Sequence, residues 1–156
     1  MTPTLFHDAL DERRLMRPAF LQSHAYAARV FPDVLDRDAF DALAVMAGTA
    51  GEAILVHHAE FGKSPETIRA ADPDDAWNAF FQISHGDAIL EFATGALYAW
   101  LPAGERFHAV FGQPQIIDRL GDASKLADAF SEFVEDSGLT EQGRRFLREA
   151  YARYTV

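Results

Sequence analysis

The sequence predicts an α+β fold in which an antiparallel sheet of about four strands is packed with helices on one face. Three observations point there. Between Asp87 and Phe111, three short apolar stretches are separated only by Thr94-Gly95 and by Pro102-Ala103-Gly104-Glu105, and turns that short force antiparallel neighbours. Helical patterns stand before and after this meander instead of alternating with single strands, which separates the α from the β elements. The 156 residues are 49% hydrophobic, with only 10 Gly and 7 Pro. That is the length and composition of one ordinary folded domain, residues 1–156, with no repeat or low-complexity linker.

The elements follow in order. From Thr4 to about Arg14, Leu5, Phe6, Ala9 and Leu10 recur at helical spacing. Ala19–Phe31 fits either a short helix or a strand ending at Phe31-Pro32. Asp36 is placed to cap a helix over Arg37–Ala47, whose Phe40, Leu43, Ala44 and Ala47 share a face, and Gly48 ends it. Glu52–His58 is short, apolar and partly β-branched, the pattern of a buried strand. Ser64-Pro65 has the form of a helix start, a capping hydroxyl followed by proline. Asp72-Pro73-Asp74-Asp75 repeats that grammar more strongly, with two carboxylates near the positive end of the helix dipole. Trp77, Phe80, Phe81 and Ser84 form the apolar face of the helix that follows, which stops at Gly86. The meander comes next, as Asp87–Ala93, Ala96–Leu101 and Arg106–Phe111. Asp122 then caps a helix carrying Leu126, Phe130, Phe133 and Val134, closed by Gly138. Thr140 opens the last, with Phe146, Leu147, Ala150, Tyr151 and Tyr154 inward.

Charge excludes some functions. The chain has 24 acidic against 14 basic residues, a formal net charge of −10. A free nucleic acid or an anionic membrane surface needs a basic face, so neither is expected as a partner. The excess is central: residues 30–143 carry a net −14, whereas 144–156 carry +3. There is no Cys, which removes disulfides and thiolate chemistry. The first residues lack a basic cluster leading into an apolar run, and no stretch of about 18 apolar residues occurs, so a cytoplasmic protein is expected.

Candidate chemistry is sparse. Phe61-Gly62-Lys63-Ser64 imitates the end of a phosphate loop, but His57 stands where that loop needs its first Gly. Adjacent His57 and His58 point to opposite faces of a strand and cannot easily share an ion. His58 and Glu60 can share a face, with His85 or His108 joining from elsewhere, but that needs several coincidences, and no metal or cofactor is expected. Ser84, His85 and Asp87 lack the strained turn of a hydrolase nucleophile, so no catalytic residues are assigned. Glu91 lies between Leu90 and Phe92 and should face solvent or a partner. Tyr98 and Trp100 share a face of the middle strand and, with Trp77, are candidate anchors for a partner if exposed, or core if not.

The acidic clusters carry the most information. Asp72, Asp74 and Asp75 are dense, and Asp128, Glu132, Glu135 and Asp136 form a stripe at i, i+4, i+7 and i+8. Like charges at that spacing destabilise a helix by roughly 0.2–0.5 kcal/mol per pair, so the helix gains no stability from the stripe, which is either a solvated face or a docking surface for a cationic protein. A small, acidic, Cys-free α+β chain with these clusters and a preference for Arg over Lys resembles the bacterial immunity proteins paired with contact-dependent growth-inhibition toxins. The resemblance is of general character and covers the whole chain. It implies a protein that binds and neutralises a cognate basic, often nuclease-like, protein toxin through its acidic surface. No residue role is carried over from the family; the contact residues expected from this sequence itself are the two clusters, Glu91, Tyr98 and Trp100. The alternatives are a small-ligand binder or enzyme with a pocket between sheet and helices, lined by Trp100, His108 and Glu91, and a regulatory homodimer associating through the Tyr151/Tyr154 helix or a sheet edge.

Overall fold

A computed structural model describes residues 5–48, 53–60, 63–83, 85–93 and 95–154. Thr4, Glu52, Phe61, Gly62, Ser84 and Thr94, which enter the sequence reading, lie outside the described residues. The helices are α1 (Leu5–Ala9), α2 (Pro18–His24), α3 (Arg37–Met46), α4 (Pro73–Gln82), α5 (Pro114–Ile117), α6 (Ala123–Asp136) and α7 (Glu141–Ala152), with a 3-10 turn at Asp118–Leu120. The strands are β1 (Ala27–Pro32), β2 (Ile54–Ala59), β3 (Glu66–Ala70), β4 (Asp87–Phe92), β5 (Leu97–Leu101) and β6 (Phe107–Gly112).

The six strands form one antiparallel sheet in the order β1-β6-β5-β4-β2-β3. The class is α+β and the meander β4-β5-β6 stands as expected, but the sheet has six strands where about four were predicted. The two extra come from segments whose local grammar was ambiguous or misleading. Ala19–Phe31 holds both a helix and a strand: α2 ends at Ala25 in the left-handed conformation, φ 55°, and β1 begins two residues later. Ser64-Pro65 opens no helix. Thr67 and Arg69 alternate with the inward Ile68 and Ala70, and β3 pairs with β2 through the register His57↔Thr67, so pairing and a period of two override a cap-like dipeptide. α1 is shorter than predicted because Asp11 turns the chain, its carboxylate accepting from the backbone N–H groups of Arg13 and Leu15.

Helices cover both faces, not one. On the first face α1, α2, α6 and α7 close over Ile89, Tyr98, Trp100, Phe107, Ala109 and Phe111. On the second, α3, α4 and α5 close over Ile54, Val56, Leu90, Phe92, Ala99 and Val110. Every residue of β5 and β6 is buried, the signature of strands sandwiched between two helical layers. One glycine is dictated by this packing: at Gly112, φ 157°, a Cβ would stand 2.3 Å from the Ala96 carbonyl oxygen.

The predicted caps hold. The side chains of Asp36, Asp72, Asp122 and Thr140 accept hydrogen bonds from the first-turn N–H groups of α3, α4, α6 and α7. Among the described residues no helix is long and apolar enough to cross a membrane.

Candidate functional site

The meander's candidate contact residues are interior. Trp100 has no exposed surface and meets Phe6 edge-on at 6.3 Å. Tyr98 is also buried, stacked on Phe111 at 4.9 Å, and burial pushes its phenol well above the usual range. Glu91 does not face solvent. It shares the first face with Tyr98, largely covered, and its carboxylate accepts from His57 Nε2 at 2.8 Å, while His57 Nδ1 meets Thr67 Oγ1 at 2.9 Å. These corrections have one cause: both faces of the sheet are roofed, so alternation along β4 and β5 chooses between two interiors. Tyr151 and Tyr154 are used internally too, the first stacked on Phe130 at 5.3 Å, the second buried.

The two acidic clusters do not form one patch. Helix α6 packs on β1 at one edge of the first face, and α4 packs on β2 and β3 at the opposite edge of the second. Asp128, Glu132, Glu135 and Asp136 are all exposed. Glu135 pairs with Arg148 of α7, and the other three make no ion pair among the described residues.

The second face is different in character. Segments 33–48 and 72–83 hold seven acids (Asp33, Asp36, Asp38, Asp41, Asp72, Asp74 and Asp75) against a single base, Arg37. Arg37 bridges the two helices. It pairs with Asp41 at 2.9 Å on its own helix and with Asp74 on α4, and its guanidinium lies 5.8 Å from the Trp77 ring. The hydrogen bond to Asp74 raises its already high pKa. Among the described residues the large hydrophobics left exposed are Val34 at 63%, Val45 at 80% and Phe81 at 69%. All three belong to this acidic layer.

Beside Val34 and Phe81 lies a cleft of about 570 Å³, walled by Val34, Leu35, Trp77, Phe80, Phe81, Leu101, Phe107 and His108, with Asp36, Arg37, Glu105 and Arg106 at its polar positions, whereas Val45 lines a separate hollow with Asp72 and Asp74. It is the kind of concavity that takes an apolar group and orients it by a few charges. Phe81 was expected in the core. The pocket anticipated between sheet and helices does contain His108, but Trp100 and Glu91 lie outside it. Burial holds His108 below its usual pKa while its Nδ1 donates to the Asp33 carbonyl oxygen at 2.9 Å. Burial also raises the Glu105 carboxyl.

A third group gathers where β2 ends. His58 points away from His57, as alternation requires, and stands with Glu60 and His85 so that one ligand atom of each lies within 4.8 Å of the others. His85 and Asp87 do not act together: His85 Nε2 is 3.2 Å from Glu60, and Asp87 receives a two-pronged hydrogen bond from Arg14.

No protein-family model, curated protein or solved structure matches this chain.

Proposed function

We propose that this chain is an immunity-type inhibitor that binds a basic, nuclease-like protein toxin through the α3–α4 layer. The observation that carries the reading is the coincidence, on one layer, of the exposed Val34, Val45 and Phe81 with the Asp72, Asp74 and Asp75 cluster and the aromatic cleft. An apolar centre with a charged rim is what a protein-binding surface needs. The centre supplies desolvated anchor sites, and the rim sets orientation and encounter rate. The α6 stripe lies on the other layer and has no part in this interface.

The test is capture of a basic protein from the source cells at low salt, repeated with three variants. Phe81→Glu should lose the captured protein, and the pair Asp74→Lys, Asp75→Lys should capture less of it. Reversal of Asp128, Glu132 and Asp136 to Lys should keep it. Loss only in the α6 variant would move the interface to the other layer.

A second reading is favoured by the cleft itself. Its volume suits a small apolar ligand with an anionic group held by Arg37 or Arg106. Stabilisation of the purified protein by such a ligand, abolished by Phe80→Asp, would favour it over the protein partner.

A further inference from the structure

We propose that His58, Glu60 and His85 form a binding site for a divalent transition-metal ion of the zinc type. The fold assembles the three from two places. His58 on β2 and Glu60, the residue after the strand, share a side because they are two apart. His85 arrives from the turn that joins α4 to β4, and β4 is paired to β2 through His58↔Ala88. Two imidazoles and one carboxylate are the donor set that zinc and its first-row neighbours take.

Several observations point to a ligand at this place. The His58 Nε2 is buried and makes no hydrogen bond, which leaves a polar atom of this ring without compensation. Gly86 makes room for that ring: a Cβ there would lie 2.5 Å from His58 Nε2 and 2.8 Å from the Ala59 carbonyl oxygen. Glu60 is held from behind. Lys63 donates to its Oε2 at 2.8 Å, while Oε1 is turned to His85 Nε2 at 3.2 Å. An outer partner that fixes one oxygen and frees the other is the usual support of a ligating carboxylate. The donors of a tetrahedral zinc stand about 3.3 Å apart, given bonds near 2.0–2.1 Å. The Glu60–His85 pair is already at that spacing, and the exposed His85 can turn to bring the set together.

Three protein donors leave a further coordination position. Beside Glu60 and His85 a cavity of about 640 Å³ opens toward Arg14 and Asp87, so water or an anionic group can reach it, as in metal sites that act on a ligand. The site is independent of the proposed partner-binding face, although Gly86 and Ala103 line both this cavity and the α3–α4 cleft.

Metal-free protein titrated with Zn²⁺ against a chromogenic chelator tests the assignment, with Co²⁺ absorption reporting the coordination number. The expected result is one ion per chain, with four- or five-coordinate Co²⁺ spectra. His85→Ala should weaken binding by at least about 100-fold, at the upper end of what even an outer partner's loss costs. His58→Gln should do the same, with circular dichroism verifying that both variants fold, and His24→Gln on α2 should bind as the original. Absence of one-to-one binding, or equal loss in His24→Gln, would overturn the proposal. So would full retention in a folded His85→Ala.

Discussion

The two helical layers cover the same sheet in opposite ways. The first is closed. Its aromatic residues interlock, Phe20 against Phe111 at 5.9 Å and Tyr98 on Phe111 at 4.9 Å, and its edges are tied across the chain by Arg13–Glu149 and Arg153–Asp11. The second layer ends its packing early. It leaves Val34, Val45 and Phe81 in water beside a concentration of aspartates that one arginine cannot neutralise. Exposing apolar groups adds nothing to folding, and like charges cost a little. The contrast teaches that burial is completed on one layer and left incomplete on the other, and under the proposed function the incomplete layer is the one that meets a partner.

The comparison breaks most visibly at Trp100. Trp100→Ala should cost about 3–5 kcal/mol in a urea titration, the usual cost of a large aromatic truncated in a full core. A change under about 1 kcal/mol would mean that the first layer is not closed. Phe81→Ala should do the reverse: stability unchanged within about 0.5 kcal/mol and partner affinity lowered by about 2 kcal/mol or more, read by calorimetry with the captured protein. Asp74→Lys with Asp75→Lys should slow association about tenfold at low salt, and the difference should fade as salt rises. Stopped-flow mixing separates this from faster dissociation.

Two smaller effects sharpen the contrast. Asp72→Ala removes the α4 cap, whose carboxylate accepts from the Asp75 N–H at 2.8 Å, and should cost about 1 kcal/mol. Asp75→Asn keeps the cap and should cost far less. His108 gives a pH signature. Its folded pKa lies below the unfolded value because burial disfavours the imidazolium. Above about pH 6.5 both states are neutral and stability is unaffected. As pH falls below that value the unfolded chain takes the proton first, so stability declines until the folded pKa is reached. His108→Gln should flatten that decline by at most about 1.4 kcal/mol per pH unit, measured as the difference between the two denaturation midpoints across the range.

Local features were legible in the sequence and long-range ones were not. The caps at Asp36, Asp72, Asp122 and Thr140 need only the next three residues, and the meander needs only its short turns. The roofing of both faces was written in Leu97–Leu101 and Phe107–Gly112, where nearly every residue is apolar and no polar alternation appears; reading the sheet as one-sided is what turned Glu91 of β4 outward. β3 was hidden because Ser64-Pro65 looks like a cap until β2 is there to pair with it. Of the site, the Asp72–Asp75 cluster is a sequence neighbourhood and was visible. The cleft joins α3, α4 and the β5–β6 turn, and His85 reaches His58 through β4, so neither neighbourhood exists until the chain has folded.

The strand order also fixes a schedule. Ala27 of β1 stands opposite Gly112 of β6, so the first strand leaves the ribosome long before the strand that will receive it. The hairpin β2–β3 pairs locally but joins the rest of the sheet only once β4 is made. The meander β4-β5-β6 is likewise local and largely apolar, and both flanks of the sheet pair onto it, β2 on β4 and β1 on β6. While it waits, β3 shows solvent Glu66 and Arg69, with Pro65 just ahead of it. Charge and proline on an open strand edge discourage another nascent chain from pairing there. The outermost strand thereby shields the sheet before the sheet is complete.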